Sequence, residues 1–260
     1  MKFSIFKILI ITIFLAAFTV LALFVINQKY QTIIVEIPKF SHQATPSSPA
    51  LSSGDENPKS VLLPVPFTPQ APTANWDELH NEACEEASAI MAAEYYKDTM
   101  TPSSSPPQEG EKVGVLPPDF VEDEITNLTK WQQENFGYYL DATSAETALM
   151  IEKVYDLKTK LIENFSADDL KKELAQNHLV LISEYGRALG NPYYKRPGPI
   201  HHMLVIKGYN SAGFVTNDPG TKRGLNYFYD FKTLYNAAAD WDHAKTNIDS
   251  TKKIAIIVWK

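Results

Sequence analysis

Cysteine is almost absent: Cys84 is the single one among 260 residues. No disulfide can close within the chain and no cysteine-dense zinc site can form, so the fold must rest on its core. Basic charge is in deficit, with 24 Lys and Arg against 31 Asp and Glu and a formal charge of -7. No Lys/Arg cluster stands out in the body of the chain, and the basic stripe that nucleic-acid binding requires is missing. Internal repeats are missing as well. Near the N-terminus it is charge that is lacking: Ile8 to Ile26 runs for 19 residues without a charged side chain.

That run spans about 28 Å as a helix, close to the thickness of a bilayer core. Lys2 and Lys7 precede it and Lys29 follows. Positive charge at the short N-terminal end holds that end in the cytosol and exports the rest. The run is longer than a cleavable leader's apolar region and ends in Phe24, Val25, Ile26 and Asn27 without small residues. Residues 1–30 therefore read as an uncleaved single-pass anchor, with secretion after cleavage as the alternative. Residues 31–60 are rich in Ser and Pro and read as a tether. Residues 61–260 read as one domain, large enough for a proper core.

Within the domain, helices come first. Apolar residues recur at three- and four-residue spacing over Glu82–Lys97. Asp98–Lys112 is rich in Ser, Pro and Gly and reads as an exposed loop. Pro118–Asn135 reads as a helix. Thr143 with Glu146, and Ser166 with Asp169, open helices over Ala145–Tyr155 and Ala167–Gln176. Short β-rich segments follow at His178–Glu184, His202–Lys207, Gly213–Thr216, Leu225–Tyr229 and Lys253–Trp259. Helices followed by strands predict an α+β domain in two segregated halves, with a site in the cleft between them.

Cys84 opens the first helix, in EACEEAS. Unpaired amides at a helix start and a nearby imidazolium lower a thiol's pKa and make it a nucleophile. Glu85 and Glu86 oppose a thiolate, but at the next two helical positions they are expected to face solvent. His201 and His202 open the strand HHMLVIKGY, and alternation sends them to opposite faces, so one of them can meet the thiol as its base. The residues alone do not choose between them. Asp218, in TNDPG, can orient an imidazole and stabilise its charge, although the same sequence makes a plain turn. Gln70, in VPFTPQAP, can donate its side-chain amide to an oxyanion. His80 four residues before Cys84 makes no metal site by itself. Nothing calls for a cofactor or a metal.

Taken in order, VPFTPQ, a helix opened by cysteine, HHMLVIKGYN and TNDPG resemble the bacteriocin-processing cysteine peptidases and their wider C thirty-nine-like relatives, of the papain-like superfamily. SADDLKKELAQNHLVLISEYG resembles the helix and strand that precede the family's histidine strand. The resemblance spans Leu63 to Phe231. It departs from the family where Glu85 and Glu86 replace a Gly-Pro after the cysteine, and in a longer interval from Gln70 to Cys84. In the family pattern the histidine stands seven residues before the Tyr of Gly-Tyr, which selects His202. The resemblance thus implies a papain-like fold with Cys84 as nucleophile, His202 as base, Asp218 as orienter and Gln70 as oxyanion donor. It implies a membrane-anchored peptidase or amidase facing a peptide or protein substrate outside the cytoplasm. An acyl transferase on the same residues and an inactive binding module are the alternatives. The family's Gly-Gly leader substrates belong to transporter fusions, and this chain carries no transporter segments.

Overall fold

A computed structural model describes residues 58–98 and 114–260, all within the compact unit Gly54–Lys260. The expected anchor, the tether up to Asn57 and most of the loop expected at Asp98–Lys112 lie outside the described residues. Among the described residues, no helix is long and apolar enough to cross a membrane.

The chain folds as an α+β domain. Strand β1 (Val61–Leu62) and a short helix α1 (Glu78–Asn81) lead to α2 (Cys84–Asp98), α3 (Pro118–Asn135) and α4 (Ser144–Tyr155). Strand β2 (Lys158–Glu163), helix α5 (Ala167–Ala175), strand β3 (Leu179–Tyr185) and a helical turn α6 (Gly186–Leu189) follow. The remainder is β4 (His201–Tyr209), β5 (Gly213–Asn217), β6 (Tyr227–Asp230), α7 (Phe231–Ala237), the small ribbon β7 (Asp240–Asp242) and β8 (Asn247–Asp249), and β9 (Ile254–Trp259). The main sheet is antiparallel, in the order β2-β9-β3-β4-β5-β6, with β1 paired to β4.

Local sequence accounts for the helix ends. Pro118 sits in the first turn of α3, where no N–H is needed. Thr143 with Glu146 and Ser166 with Asp169 close reciprocal capping boxes on α4 and α5. Helix α2 goes beyond its sequence pattern: every residue from Ala83 to Ala93 is buried, not one face alone. Its alanines allow neighbours to approach from all sides. All nine residues of β4 are buried too. Each fully buried Leu, Val or Ile there contributes about 1.5–3 kcal/mol.

Strand β2 is absent from the sequence reading. Its lysines alternate with partly buried residues, a pattern suited to a sheet edge rather than to an apolar run. It joins the sheet through β9 from among the helices, so the two halves are less segregated along the chain than expected. The short α7 and the β7–β8 ribbon are also absent from that reading.

The segment from Leu63 to Gln70 is tied along β4 and β5. Leu63 N donates to Lys207 O (2.8 Å), and Gln70 N donates to Pro219 O (2.9 Å). Lys207 Nζ donates to Val65 O (3.1 Å) and Asn217 Nδ2 to Pro66 O (2.9 Å). Burial lowers the Lys207 ammonium to a pKa of about 8. These bonds bring Gln70 beside the turn that carries Asp218.

Candidate active site

The sheet register explains how a helix start reaches the histidine strand. Pairing of β4 with β5 begins only at Val205, so the first residues of β4 have an open edge on that side. Helix α2 enters this gap. Ser88 Oγ donates to Met203 O (3.3 Å), and the Met203 amide lies close enough to the Cys84 sulfur to favour its charged form. The thiol therefore lies against the residue that follows His202.

Alternation separates the two histidines as expected. His202 pairs across the strands with Glu184, so the two share a sheet face. Its Nε2 is 2.9 Å from Asp218 Oδ1, with both side chains essentially inaccessible. Asp218 is held by four further donors. Gly220 N donates to Oδ1 (3.0 Å), while Asn191 Nδ2 (3.0 Å), Tyr194 OH (2.6 Å) and Tyr229 OH (2.7 Å) donate to Oδ2. Burial alone would push this carboxyl up. The His202 charge and these hydrogen bonds outweigh it and hold the carboxyl below its ordinary value. The Tyr194 ring meets the His202 ring edge to face at 5.3 Å. Gly220 leaves room for that imidazole: a Cβ there would lie 2.9 Å from His202 Cε1. His202 Nδ1 has no hydrogen-bond partner among the described residues.

Glu85 and Glu86 depart from expectation. Both are buried at about 1% exposure rather than solvated. Glu85 folds back onto the nucleophile: Cys84 Sγ donates to its Oε2 at 2.9 Å. Its Oε1 accepts from Ala142 N (2.9 Å) and lies 3.3 Å from His201 Nδ1. His201 Nδ1 is also 3.3 Å from Asp141 Oδ1, and its Nε2 is 2.9 Å from Ser183 Oγ. Glu86 accepts from Gln132 Nε2. The thiol is raised rather than lowered. Burial pushes it well up, the Glu85 charge and hydrogen bond and the Glu86 charge add to that, and the Met203 amide opposes them. Burial also pushes the Glu85 carboxyl up, against the His201 charge. Burial would lower His201, but Glu85 and Asp141 raise it above its ordinary value.

Gln70 has another task in this geometry than the oxyanion role the resemblance implies. Its Nε2 donates to His80 O (2.9 Å) and Asn81 O (3.0 Å), so both amide hydrogens hold the turn leading to Cys84. Its Oε1 is buried and unpartnered. His80 is bracketed by Asp77 Oδ1 and Glu122 Oε2, each at 2.7 Å. Among the described residues no group of three or more His, Cys, Asp or Glu side chains could hold a metal ion.

The sequence reading missed several participants. Asn191, Tyr194 and Tyr229 carry no linear signature, since the fold alone gathers them on Asp218. Glu184 went unnoticed inside an apolar strand. Both its carboxyl oxygens are buried without a partner, and burial together with the Asp218 charge pushes it well above its ordinary value. His201 was visible, and the signal for its role was the acidic pair after Cys84.

No curated protein sequence matches the chain. Among solved structures, a candidate C39-like peptidase from Bacillus anthracis aligns with a TM-score of 0.47 and 15% identity, covering 78% of this chain and 98% of its own. Residues 62–248, which include Cys84, His202, Asp218 and Gln70, match the Peptidase_C39 like family, and the chain belongs to that family.

Proposed function

We propose that the chain is a thiol hydrolase of peptide or amide bonds, held at the outer face of a bacterial-type cytoplasmic membrane by the apolar run Ile8–Ile26. The observation that carries this reading is the buried His202–Asp218 pair at 2.9 Å, with the Cys84 sulfur at the amide of the next residue. With Nε2 committed to Asp218, Nδ1 is the nitrogen free to take the thiol proton. Cys84 Sγ attacks the carbonyl carbon, the tetrahedral adduct collapses, and the amine leaves with the proton from His202. The resulting thioester is hydrolysed by water that His202 deprotonates, which releases the acid and restores the thiol. Asp218 fixes the ring and stabilises its charged form. Donation to the oxyanion by Gln70 requires one of its two backbone bonds to open.

The test is cleavage of fluorogenic peptides by the full chain. Cys84→Ala and His202→Ala should each reduce kcat/KM by at least about a thousandfold while far-UV circular dichroism shows both variants folded at the assay temperature. A second reading, a binding module that has lost the chemistry, is favoured by the 3% exposure of Cys84 and its bond to Glu85. It expects equal, background cleavage by all three proteins and peptide binding that survives Cys84→Ala. Transfer of the acyl group to an added amine instead of water would identify a transferase.

A further inference from the structure

The acidic balance of the chain reverses around His202. From Gly186 to Tyr229 the exposed charged residues are Arg187, Lys195, Arg196, Lys222 and Arg223, and all are cations. The single acid in that stretch, Asp218, is buried under His202. In sequence these cations are an isolated arginine and two pairs far apart, which is why no cluster stands out there.

Folding brings them together. The loop after α6 and the turn after β5 pack on each other through the machinery that holds His202. Tyr194 from the loop donates to Asp218, and a Cβ on Gly220 in the turn would meet the Tyr194 ring at 2.9 Å. The Arg223 guanidinium stacks over the Tyr193 ring at 4.7 Å, so the turn's cation lies on the loop's aromatic. Arg187 donates from Nε to Gly198 O (3.2 Å), two residues beyond Lys195–Arg196. The opposite flank has the other sign. Glu82 and Asp141 are half-buried beside His201, on the side of Glu85.

Resting on the hydrolase reading, we infer that the substrate is a peptide with acidic residues on the C-terminal side of the scissile bond, received by this cationic wall. The side follows from the chemistry. His202 passes its proton to the departing amine, so the segment beyond that amine lies along the loops that carry His202 and Asp218. Exposed Tyr193, Ile200 and Leu225 offer apolar contacts among the cations. An anionic membrane surface shares this charge complementarity, but a membrane seated there would cover the loops that hold the site and block a polymeric substrate.

The test compares fluorogenic peptides of one core sequence with Glu and Asp placed C-terminally, N-terminally or not at all, cut by the full chain at low and high salt. The expected result is a kcat/KM at least about tenfold higher for C-terminal acids than for the neutral peptide, shrinking as salt screens the charges. In K222E/R223E the ratio of acidic to neutral peptide should fall to near one or below. Equal cleavage of all peptides, a preference for N-terminal acids alone, or a ratio unchanged in the variant would overturn the inference. So would binding to vesicles of anionic lipid without any peptide preference. If no peptide is cut, the hydrolase reading fails. The inference is then decided by anisotropy on Cys84→Ala, where the labelled acidic peptide must bind at least about tenfold tighter than the neutral one.

Discussion

Asp218→Ala is expected to lower the unfolding free energy by about 3–5 kcal/mol and to remove hydrolysis, whereas Asp218→Asn should do far less of both. The alanine leaves Tyr194 OH, Tyr229 OH, Asn191 Nδ2, Gly220 N and His202 Nε2 without their carboxylate acceptor, all but the Gly220 amide in a fully buried place. A buried donor left unpaired costs about 1–3 kcal/mol, and Asn191 keeps one partner in Tyr229 OH. The asparagine can turn its oxygen towards His202 and Gly220. Its amide then faces the two tyrosine hydroxyls, which can rotate to accept. Ring orientation survives and only the negative charge is lost. Loss of kcat/KM should be above about a thousandfold for Ala and smaller for Asn. Urea unfolding and steady-state cleavage check both figures. Equal stability of all three proteins would show that the carboxylate is not the hub described here. The pH dependence follows from the depressed carboxyl of Asp218. Its stabilising contribution is complete above the ordinary carboxylate pKa and is lost only as pH falls through the lower folded value. Asp218→Ala should lack that acid-labile share.

Glu85→Gln is expected to make the thiol easier to ionise. Glu85 touches the sulfur at 2.9 Å in a fully buried place, and its charge is the second cause, after burial, of the raised thiol pKa. Glutamine keeps the shape and an acceptor for S–H but removes the charge. The midpoint of iodoacetamide labelling at Cys84 should then move to lower pH. The groups around Glu85 set the limits of this effect. Glu82 and Glu86 beside it in the chain and Asp141 remain as acidic neighbours, and His201 remains as the basic one. His201 loses the partner that helps to raise its pKa, so its protonated form should persist over a narrower pH range. A midpoint that stays in place or rises would show that Glu85 does not govern the thiol.

Much of this fold is legible in local sequence, because its helix starts obey local rules. Thr143 with Glu146 and Ser166 with Asp169 announce caps that the structure closes, and HHMLVIKGY announces a buried strand. Strand β2 escapes because an edge strand needs little apolar sequence, and its partner β9 lies almost a hundred residues away. The site divides in the same way. A cysteine at a helix start and a strand with adjacent histidines can be read locally, and alternation separates His201 from His202. The surroundings that decide the thiol's ionisation cannot. Nothing at positions 85 and 86 tells a buried glutamate from a solvated one, since burial depends on α3 and on Asp141–Ala142 closing over them. For Gln70 the residue type suggests a donor, but the acceptors of its amide are carbonyls that only the folded turn supplies.

The claim on which the account turns is that the sulfur of Cys84 and the imidazole of His202 act as one unit. The most direct test is the rate of iodoacetamide labelling at Cys84 across pH, in the full chain and in His202→Ala. The account predicts a labelling rate that falls by at least about tenfold in the variant, with a midpoint moved to higher pH. Superimposable profiles, or a thiol that labels in neither protein, would contradict it.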